Sequence, residues 1–163
     1  MSTFPAPLRV GFAGTPGQLS TADYDIVRNP DSDTITINAP TAIINWTPDD
    51  AGVGGGDIVF LPSSSSVLFR NSVTNTGGFT VLNRILPNDS SRRIALNGTV
   101  QSRLYDSSNS LIGTGGNVWF YSPGGILIGS TAILDVGGLV LSAADIGFSN
   151  PMTSAPGLVS LAP

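Results

Sequence analysis

Residues 117–129 constrain the fold more than any other part of the sequence, because short apolar runs there alternate with turn-forming residues. The runs at 118–121 and 126–128 flank the tetrad Ser-Pro-Gly-Gly, and the pattern then repeats with runs at 133–136 and 139–141 around Gly-Gly. Apolar runs this short, rich in β-branched and aromatic residues and bounded by Pro and Gly, predict strands rather than helices. A chain that turns repeatedly between short strands is typical of a β-solenoid.

The composition supports strands joined by tight turns. All acidic residues are Asp and all basic residues are Arg, so Glu and Lys, which favour helices, are absent. The 20 Gly and 12 Pro residues are typical of a chain in which turns connect short strands. The length of 163 residues predicts a single domain, 1–163.

Two all-β folds fit these statistics, since a β-sandwich of short strands would have similarly frequent turns. The direction of neighbouring strands distinguishes the β-solenoid from the β-sandwich. Gly-Gly corners permit parallel stacking, whereas Asn97-Gly98 between apolar runs predicts an antiparallel hairpin. We therefore expect a parallel β-solenoid with an N-terminal cap and an antiparallel insertion at about 96–112. A turn-rich link is expected at 21–33. Strands are expected at 8–12, 34–38, 42–46, 58–61, 67–70, 79–86, 110–112, 118–121, 126–128, 133–136 and 139–141, and on either side of Asn97-Gly98 within 94–105.

The residue types exclude several kinds of active site. The chain has no His, Cys or Lys, which removes the commonest general base, the thiol nucleophile and the Schiff-base amine. Its net charge of −4 gives no basic surface for nucleic acid. Carboxylate pairs can hydrolyse glycosidic bonds, but Asp49, Asp50, Asp89 and Asp106 lie among turn-forming residues, and Asp135 is expected to point outward. We expect no enzymatic activity, no catalytic residue and no cofactor.

Calcium is the metal ion that the sequence suggests most directly. Residues 52–60 fit a calcium-binding nonapeptide except at its second position. Such sites form between successive copies of the nonapeptide, and this sequence contains a single copy. We therefore expect no metal ion.

Several short blocks occur in a characteristic order: A-I-I-N-W at 42–46, I-V-F at 58–60, V-L-N-R-I at 81–85, residues 118–129, D-V-G-G-L-V at 135–140 and A-D-I at 144–146. In this order they resemble the two-partner secretion (TPS), or haemagglutination-activity, domain of filamentous-haemagglutinin-like exoproteins. The resemblance covers residues 33–148. It implies a right-handed parallel β-helix with an N-terminal cap and extra-helical antiparallel strands.

The resemblance also implies a function. In the family, this domain directs secretion and nucleates folding of a large adhesin, and the POTRA domains of a cognate outer-membrane TpsB-type β-barrel recognise it in the periplasm. The chain is then expected to be a monomer, secreted or displayed on a Gram-negative cell, with surface glycans as targets of the full-length protein. No secretory signal is visible at 1–13, so we expect an excised N-terminal module of a longer exoprotein.

The family signatures mark candidate residues for transporter recognition or for structure. Where the family carries N-P-N-G, this sequence has Ser-Pro-Gly-Gly. The Pro and the final Gly match, so the turn is expected to persist, whereas contacts through both Asn amides are lost. The candidates are Asn45, Trp46, Asn83, Arg84, Ser122, Pro123, Gly124 and Gly125.

Two other functions are compatible with the sequence. An adhesive β-solenoid module that binds carbohydrate would use aromatic rings for stacking on sugars. A β-helical polysaccharide-cleaving enzyme would instead need an Asp pair facing one groove. The stacking candidates are Tyr24, Trp46, Tyr105, Trp119 and Tyr121.

Overall fold

The computed structural model describes residues 11–49 and 56–146, and these residues form an all-β fold without any helix. In chain order the strands are β1 Gly14–Pro16, β2 Tyr24–Asn29, β3 Ser32–Ile37, β4 Thr41–Pro48, β5 Ile58–Leu61, β6 Ser66–Asn71, β7 Thr80–Ile85, β8 Ile94–Leu96, β9 Thr99–Tyr105, β10 Leu111–Thr114, β11 Asn117–Tyr121, β12 Ile126–Ile128, β13 Ile133–Asp135 and β14 Gly138–Ser142.

The strands form three sheets. Sheet A has the order β1-β4-β7-β11-β14, sheet B the order β10-β9-β6-β3-β2 with β13 also paired to β9, and sheet C the order β12-β8-β5. The chain visits the sheets in the order B, A, C on three passes: β3, β4, β5; then β6, β7, β8; then β9, β11, β12. β13 and β14 follow as strands of sheets B and A.

Parallel pairing joins consecutive passes in all three sheets. In sheet B, Ser32, Ser66, Thr99 and Ile133 are successive register partners. This register places equivalent positions of the passes above one another. Because side chains alternate along a strand, every second residue faces the interior shared by the sheets, and β4 shows strict alternation between exposed and buried residues.

The two ends of this stack differ. We call the end at the first pass the entry end, and the end at β12, β13 and β14 the exit end. At the entry end, β1 pairs antiparallel with β4 and β2 pairs antiparallel with β3. At the edge of sheet C, the N–H of Ala13 donates to the carbonyl oxygen of Phe60 at 2.6 Å. Each sheet therefore has backbone partners at its entry edge, which an open sheet edge would lack.

Phe12 closes the apolar interior at the entry end. Its ring is buried, and its centroid lies between 4.7 and 6.2 Å from the ring centroids of Trp46, Phe60, Phe69 and Phe120. Burial of an aromatic side chain of this size contributes about 1.5–3 kcal/mol, so this cluster is a major part of the core.

A buried ion pair holds the segment that carries Phe12. The Asp33 carboxylate accepts hydrogen bonds from the N–H groups of Gly11 at 3.1 Å and Phe12 at 2.9 Å. The Arg28 guanidinium lies 3.0 Å from the same carboxylate and also donates to the carbonyl oxygens of Phe12 and Gly14. One charged pair thus ties the first pass to the segment that covers it.

Within the part of the chain that the structure describes, the exit end is covered only at residues 103–105 of β9, where β10 pairs antiparallel. No described strand pairs with the outward edges of β12, β13 and β14. Apolar residues there pack against the core but remain half-buried. They are Ile126, Leu134, Val136, Leu139 and Leu141.

Most sequence-predicted strands are confirmed, two of them to the residue. The runs expected at 58–61 and 126–128 are β5 and β12. The link expected at 21–33 is wrong, because β2 lies within it and pairs with β3 over its whole length. The strand expected at 8–12 falls mostly outside the described residues.

The hairpin predicted at Asn97-Gly98 is also wrong. The flanking strands, β8 and β9, belong to different sheets, so the dipeptide forms a corner. The N–H of Asn97 donates to the carbonyl of Leu61 at 2.8 Å, and a Cβ on Gly98 would lie 2.3 Å from the carbonyl oxygens of Pro62 and Ser65. Glycine is needed here because two successive corners approach closely.

The antiparallel insertion exists, but its turn lies later in the chain. β9 and β10 pair antiparallel on either side of residues 106–110. Asp106 Oδ1 accepts hydrogen bonds from the N–H groups of Ser108 and Ser110, both at 2.9 Å, and Asn109 has a φ of 63°. Asp and Asn stabilise turns in this way, so this polar run reverses the chain.

Candidate functional site

The structure separates the candidate residues of the family signatures into three places. Asn45 and Arg84 are register partners on the outer face of sheet A. Trp46 and Asn83, their neighbours in sequence, point into the interior and are buried. Ser122–Gly125 forms the corner between β11 and β12. Side chains alternate between the two faces of a strand, which puts Asn45 and Arg84 on the face opposite to Trp46 and Asn83. The eight residues therefore do not form one site.

The outer pair belongs to a polar network. Arg84 Nη1 donates to Asn45 Oδ1 at 2.8 Å, while Nε and Nη2 donate to the Asp145 carboxylate at 3.2 and 2.9 Å. The guanidinium also lies 5.8 Å from the centroid of the Tyr121 ring. The side chains of Arg84 and Asp145 are 26% and 54% exposed, and solvent limits such a pair to about 0–1 kcal/mol. Its significance is therefore its accessibility rather than its stability.

The inner pair links three strands of sheet A. Trp46 Nε1 donates to Asn83 Oδ1 at 3.1 Å, and Asn83 Nδ2 donates to the carbonyl oxygen of Trp119 at 3.2 Å. Asn83 occupies an inward position between Ile44 and Phe120, its register partners. Leaving such a buried polar group unpaired costs about 1–3 kcal/mol, so these bonds explain how the core tolerates an amide.

The Ser-Pro-Gly-Gly corner has a structural geometry. The N–H of Gly125 donates to the carbonyl of Ser122 at 3.0 Å, and Gly125 has a φ of 93°. A Cβ on Gly124 would lie 2.0 Å from the carbonyl oxygen of Arg92 on the preceding pass. Both glycines are therefore required by the backbone, one by conformation and the other by close approach.

Residues 143–146 cross the outer face of sheet A after β14, and we call them the strap. Ser142 Oγ accepts from the N–H of Ala144 at 3.0 Å and donates to its carbonyl at 2.7 Å, which bends the chain over the sheet. Ile146 is buried there. It packs in a second apolar cluster with Leu82, Leu86, Trp119, Tyr121 and Val140.

A shallow cleft of about 300 Å³ lies beside this face, where the β1–β2 segment approaches β4. Burial raises the pKa of Tyr24, a hydrogen bond with the backbone of Gln18 opposes this rise, and the charge of Asp23 adds to it. The floor of the cleft includes Ile43, which is 41% exposed. The cleft is lined by Gly17, Gln18, Thr21, Asp23, Tyr24, Ile43 and Asn45.

The stacking candidates for sugar binding are largely covered. Trp46, Trp119, Tyr121 and Tyr24 are at most 9% exposed. The Tyr105 ring is half-buried, and the Arg70 guanidinium lies over it at 3.7 Å. Among the described candidates, the rings are engaged by the protein itself.

The Asp residues do not assemble into a catalytic or metal-binding group in the described part of the chain. Asp135 points outward as predicted and pairs with Arg103 at 2.6 Å. Asp57, in the calcium-like nonapeptide, pairs with Arg93 at 3.1 Å, and residues 52–55 lie outside the described residues. Residues 11–49 and 56–146 hold no cluster of three or more His, Cys, Asp or Glu side chains suited to a metal.

Sequence reasoning missed two ion pairs that organise the molecule. Arg28–Asp33 holds the entry end, and no motif distinguished these residues from other polar residues near turns. Arg84–Asp145 holds the strap, and its two members lie in separate blocks of the family resemblance. No local pattern in the sequence indicated that these two residues meet.

In the described residues, no helix has the length and apolar character needed to cross a bilayer. No known protein-family model matches the sequence, and no curated protein matches it.

Proposed function

We propose that the chain is a secretion-targeting and fold-nucleating domain of a larger exoprotein. In this proposal it passes through the periplasm of a Gram-negative bacterium, where the POTRA domains of a cognate outer-membrane TpsB-type β-barrel recognise it. Its support from the sequence is the ordered set of blocks between residues 33 and 148.

One structural observation carries the proposal: among residues 11–49 and 56–146, the stack is closed at its entry end, whereas at its exit end only part of β9 is covered, by β10. Partners cover the entry edges of all three sheets, and Phe12 fills the interior behind them. At the exit end, the described strands present unpaired edges and half-buried leucines. A unit with this polarity starts a stack and accepts further coils, because each pass supplies edges and apolar contacts for the next.

We also infer that the three sheets form a right-handed parallel β-helix. The repeated B, A, C order and the parallel pairing between passes support this inference. Folding of such a stack can begin at one end and proceed coil by coil, which suits a chain that leaves the membrane progressively.

The placement of the signature residues shapes how recognition would work. In the folded domain, Asn45 and Arg84 are accessible to a partner, whereas Trp46 and Asn83 are buried. A transporter that reads the folded domain would therefore contact the first pair. A transporter that reads the second pair would have to bind the chain before it folds, for example by strand addition.

A reporter enzyme fused after residue 163, behind a secretory signal, tests the function. We expect release into the medium in cells that contain the cognate barrel, and retention in cells that lack it. Equal release from both cells would contradict the proposal. Arg84→Ala and Arg103→Ala are matched variants, since each removes a partly exposed arginine paired with an Asp. Lower release for Arg84→Ala alone would indicate recognition of the folded outer face.

The glycan-binding alternative has weaker support. It requires aromatic rings that a sugar can reach, and the positions of the candidate rings described above do not favour it. Loss of glycan-array binding in Trp119→Ala, with the circular dichroism spectrum unchanged, would support this alternative.

A further inference from the structure

The strap rests on an apolar surface that is larger than its own buried side chain. Leu82, Trp119 and Val140 are register partners on consecutive strands, and Tyr121 follows on the same outer face of sheet A. Within the strap, Ile146 is buried while the three preceding residues are exposed. Two aromatic rings and two aliphatic side chains of sheet A thus pack in one cluster with Ile146.

The apolar surface also extends beyond the strap. Ile43 is the register partner of Leu82 on the side away from Trp119, and it is exposed. From Ile43 the apolar surface continues into the cleft of about 300 Å³, which Asn45 and Tyr24 help to line. An extended occupant longer than the strap has apolar and polar contacts available there.

The contacts that hold the strap on sheet A would allow another segment to replace it. The pair between Arg84 and Asp145 is partly exposed, so water and salt screen it. The hydrogen bonds between Ser142 and Ala144 are local and would persist if the strap swung away from the sheet. Ile146 then remains as the described apolar contact that fixes the strap.

We propose that the outer face of sheet A is a docking groove for an extended segment of a partner protein, and that the strap is the intramolecular occupant which this segment displaces. The partner segment carries an acidic residue directly followed by a branched aliphatic residue, as in Asp145-Ile146. The acid pairs with the fork of the Arg84 guanidinium, whose geometry suits a carboxylate. The aliphatic side chain takes the place of Ile146 against Trp119 and Tyr121. This groove does not depend on the secretion function.

A fluorescent peptide with the sequence of residues 142–148, S-A-A-D-I-G-F, is the probe, and anisotropy is the measurement. The hosts are the 163-residue chain and its Asp145→Asn/Ile146→Ser variant, in which the strap is weakened. We expect the variant to bind the probe at least about tenfold more tightly, because the tethered strap of the unmodified chain competes at high effective concentration. Asp145→Asn alone serves as a second host that keeps Ile146 in the apolar cluster.

Charge reversal identifies the contact. Arg84→Glu in the weakened-strap host should abolish binding of the probe, and a probe with Arg in place of its Asp should restore it. Arg103→Glu is the matched control, since Arg103 pairs with Asp135 on sheet B and should leave binding unchanged.

Failure of both weakened-strap hosts to bind the probe saturably would overturn the proposal. Equal binding of the probe by hosts with Arg84 and with Arg84→Glu would also overturn it. Dimerisation of the chain through exchange of straps between two copies, with no binding of the free probe, would also overturn it. Tighter binding by the weakened-strap hosts, together with rescue by the reversed charges, is the expected result.

Discussion

The entry and exit ends belong to one stack of strands, yet they are built differently. At the entry end, antiparallel strands and the N–H of Ala13 cover every sheet edge. At the exit end, antiparallel β10 covers only residues 103–105 of β9, the outward edges of β12, β13 and β14 have no described partner strand, and the leucines there are half-buried. In the described residues, the difference is that all three sheets have backbone partners at the entry end and an aromatic ring fills the interior behind them.

The polar groups follow the same division. At the entry end, the Asp33 side chain is fully buried and bonded to two backbone N–H groups as well as to Arg28. The corresponding pair near the exit end joins Arg103 to Asp135, whose side chain is 49% exposed. A buried charge has lost its hydration and is stabilised only by its hydrogen-bonding and ionic partners, whereas an exposed charge remains hydrated. The entry end should therefore be the more sensitive to substitution.

Removal of the aromatic plug should have the largest effect. Phe12→Ala leaves a cavity among four rings and is expected to lower the free energy of unfolding by about 3–5 kcal/mol. The matched change at the exit end, Leu134→Ala, should cost below about 2 kcal/mol because its side chain is half-buried. Urea unfolding followed by tryptophan fluorescence measures both values. Equal losses would show that the exit end is packed as tightly as the entry end.

Removal of the buried charge should come next. Asp33→Asn keeps the shape of the side chain but leaves Arg28 without its counterion, and it should cost about 3 kcal/mol. Asp135→Asn at the other end should cost below about 1 kcal/mol because its pair with Arg103 is partly exposed. Urea unfolding at pH 7 compares the two variants. Similar values for both would contradict the division between a buried and a solvated end.

Strand formation could be predicted from local sequence because it depends on neighbouring residues. The runs that became β5 and β12 are apolar, short and bounded by Pro, Gly or Asp. Sheet membership could not be predicted in the same way. Ser32, Ser66, Thr99 and Ile133 are register partners a full pass apart, but no single side-chain type is common to the four positions. The hairpin prediction at Asn97-Gly98 was wrong for this reason, because the dipeptide favours a tight turn without specifying which sheet the next strand joins.

The candidate site could be predicted only in part. Alternation along β4 is sufficient to put Asn45 and Trp46 on opposite faces. The contacts that these faces make could not be predicted. Asn83 lies 37 residues from Trp46, and Asp145 lies 61 residues from Arg84. Such contacts depend on the register between passes, which no local pattern contains.

The corner between β11 and β12 depends on the backbone conformation of Gly125, so substitutions there measure how rigid the third pass is. Gly125→Val forces a β-branched residue to a φ of 93° and should cost about 1–3 kcal/mol. Ser122→Ala should change stability by less than about 0.5 kcal/mol, because the buried Ser122 Oγ has no hydrogen-bond partner among the described residues. Thermal melts of both variants give the comparison. Similar melting temperatures would mean that this pass relaxes easily, as an open end would.

The smallest expected effect lies on the surface of the entry end. The Ser20 hydroxyl, followed by the Asn38 amide, lowers the pKa of Asp25, whose side chain is exposed. Ser20→Ala should therefore raise the pKa of Asp25 towards its ordinary value of about 3.9, as measured by carboxyl NMR titration. Asp89 is the control, since the Ser91 hydroxyl and N–H lower its pKa independently.

A group whose pKa is lowered by folding stabilises the folded state above its unfolded pKa, and it loses that contribution as the pH falls through the folded pKa. Any loss of stability in Ser20→Ala should thus be present at pH 7 and shrink below about pH 3.9. Because the pair is exposed, this loss should be far smaller than that of Asp33→Asn. If the two variants were destabilised equally, surface hydrogen bonds rather than the buried plug and its ion pair would hold the entry end closed.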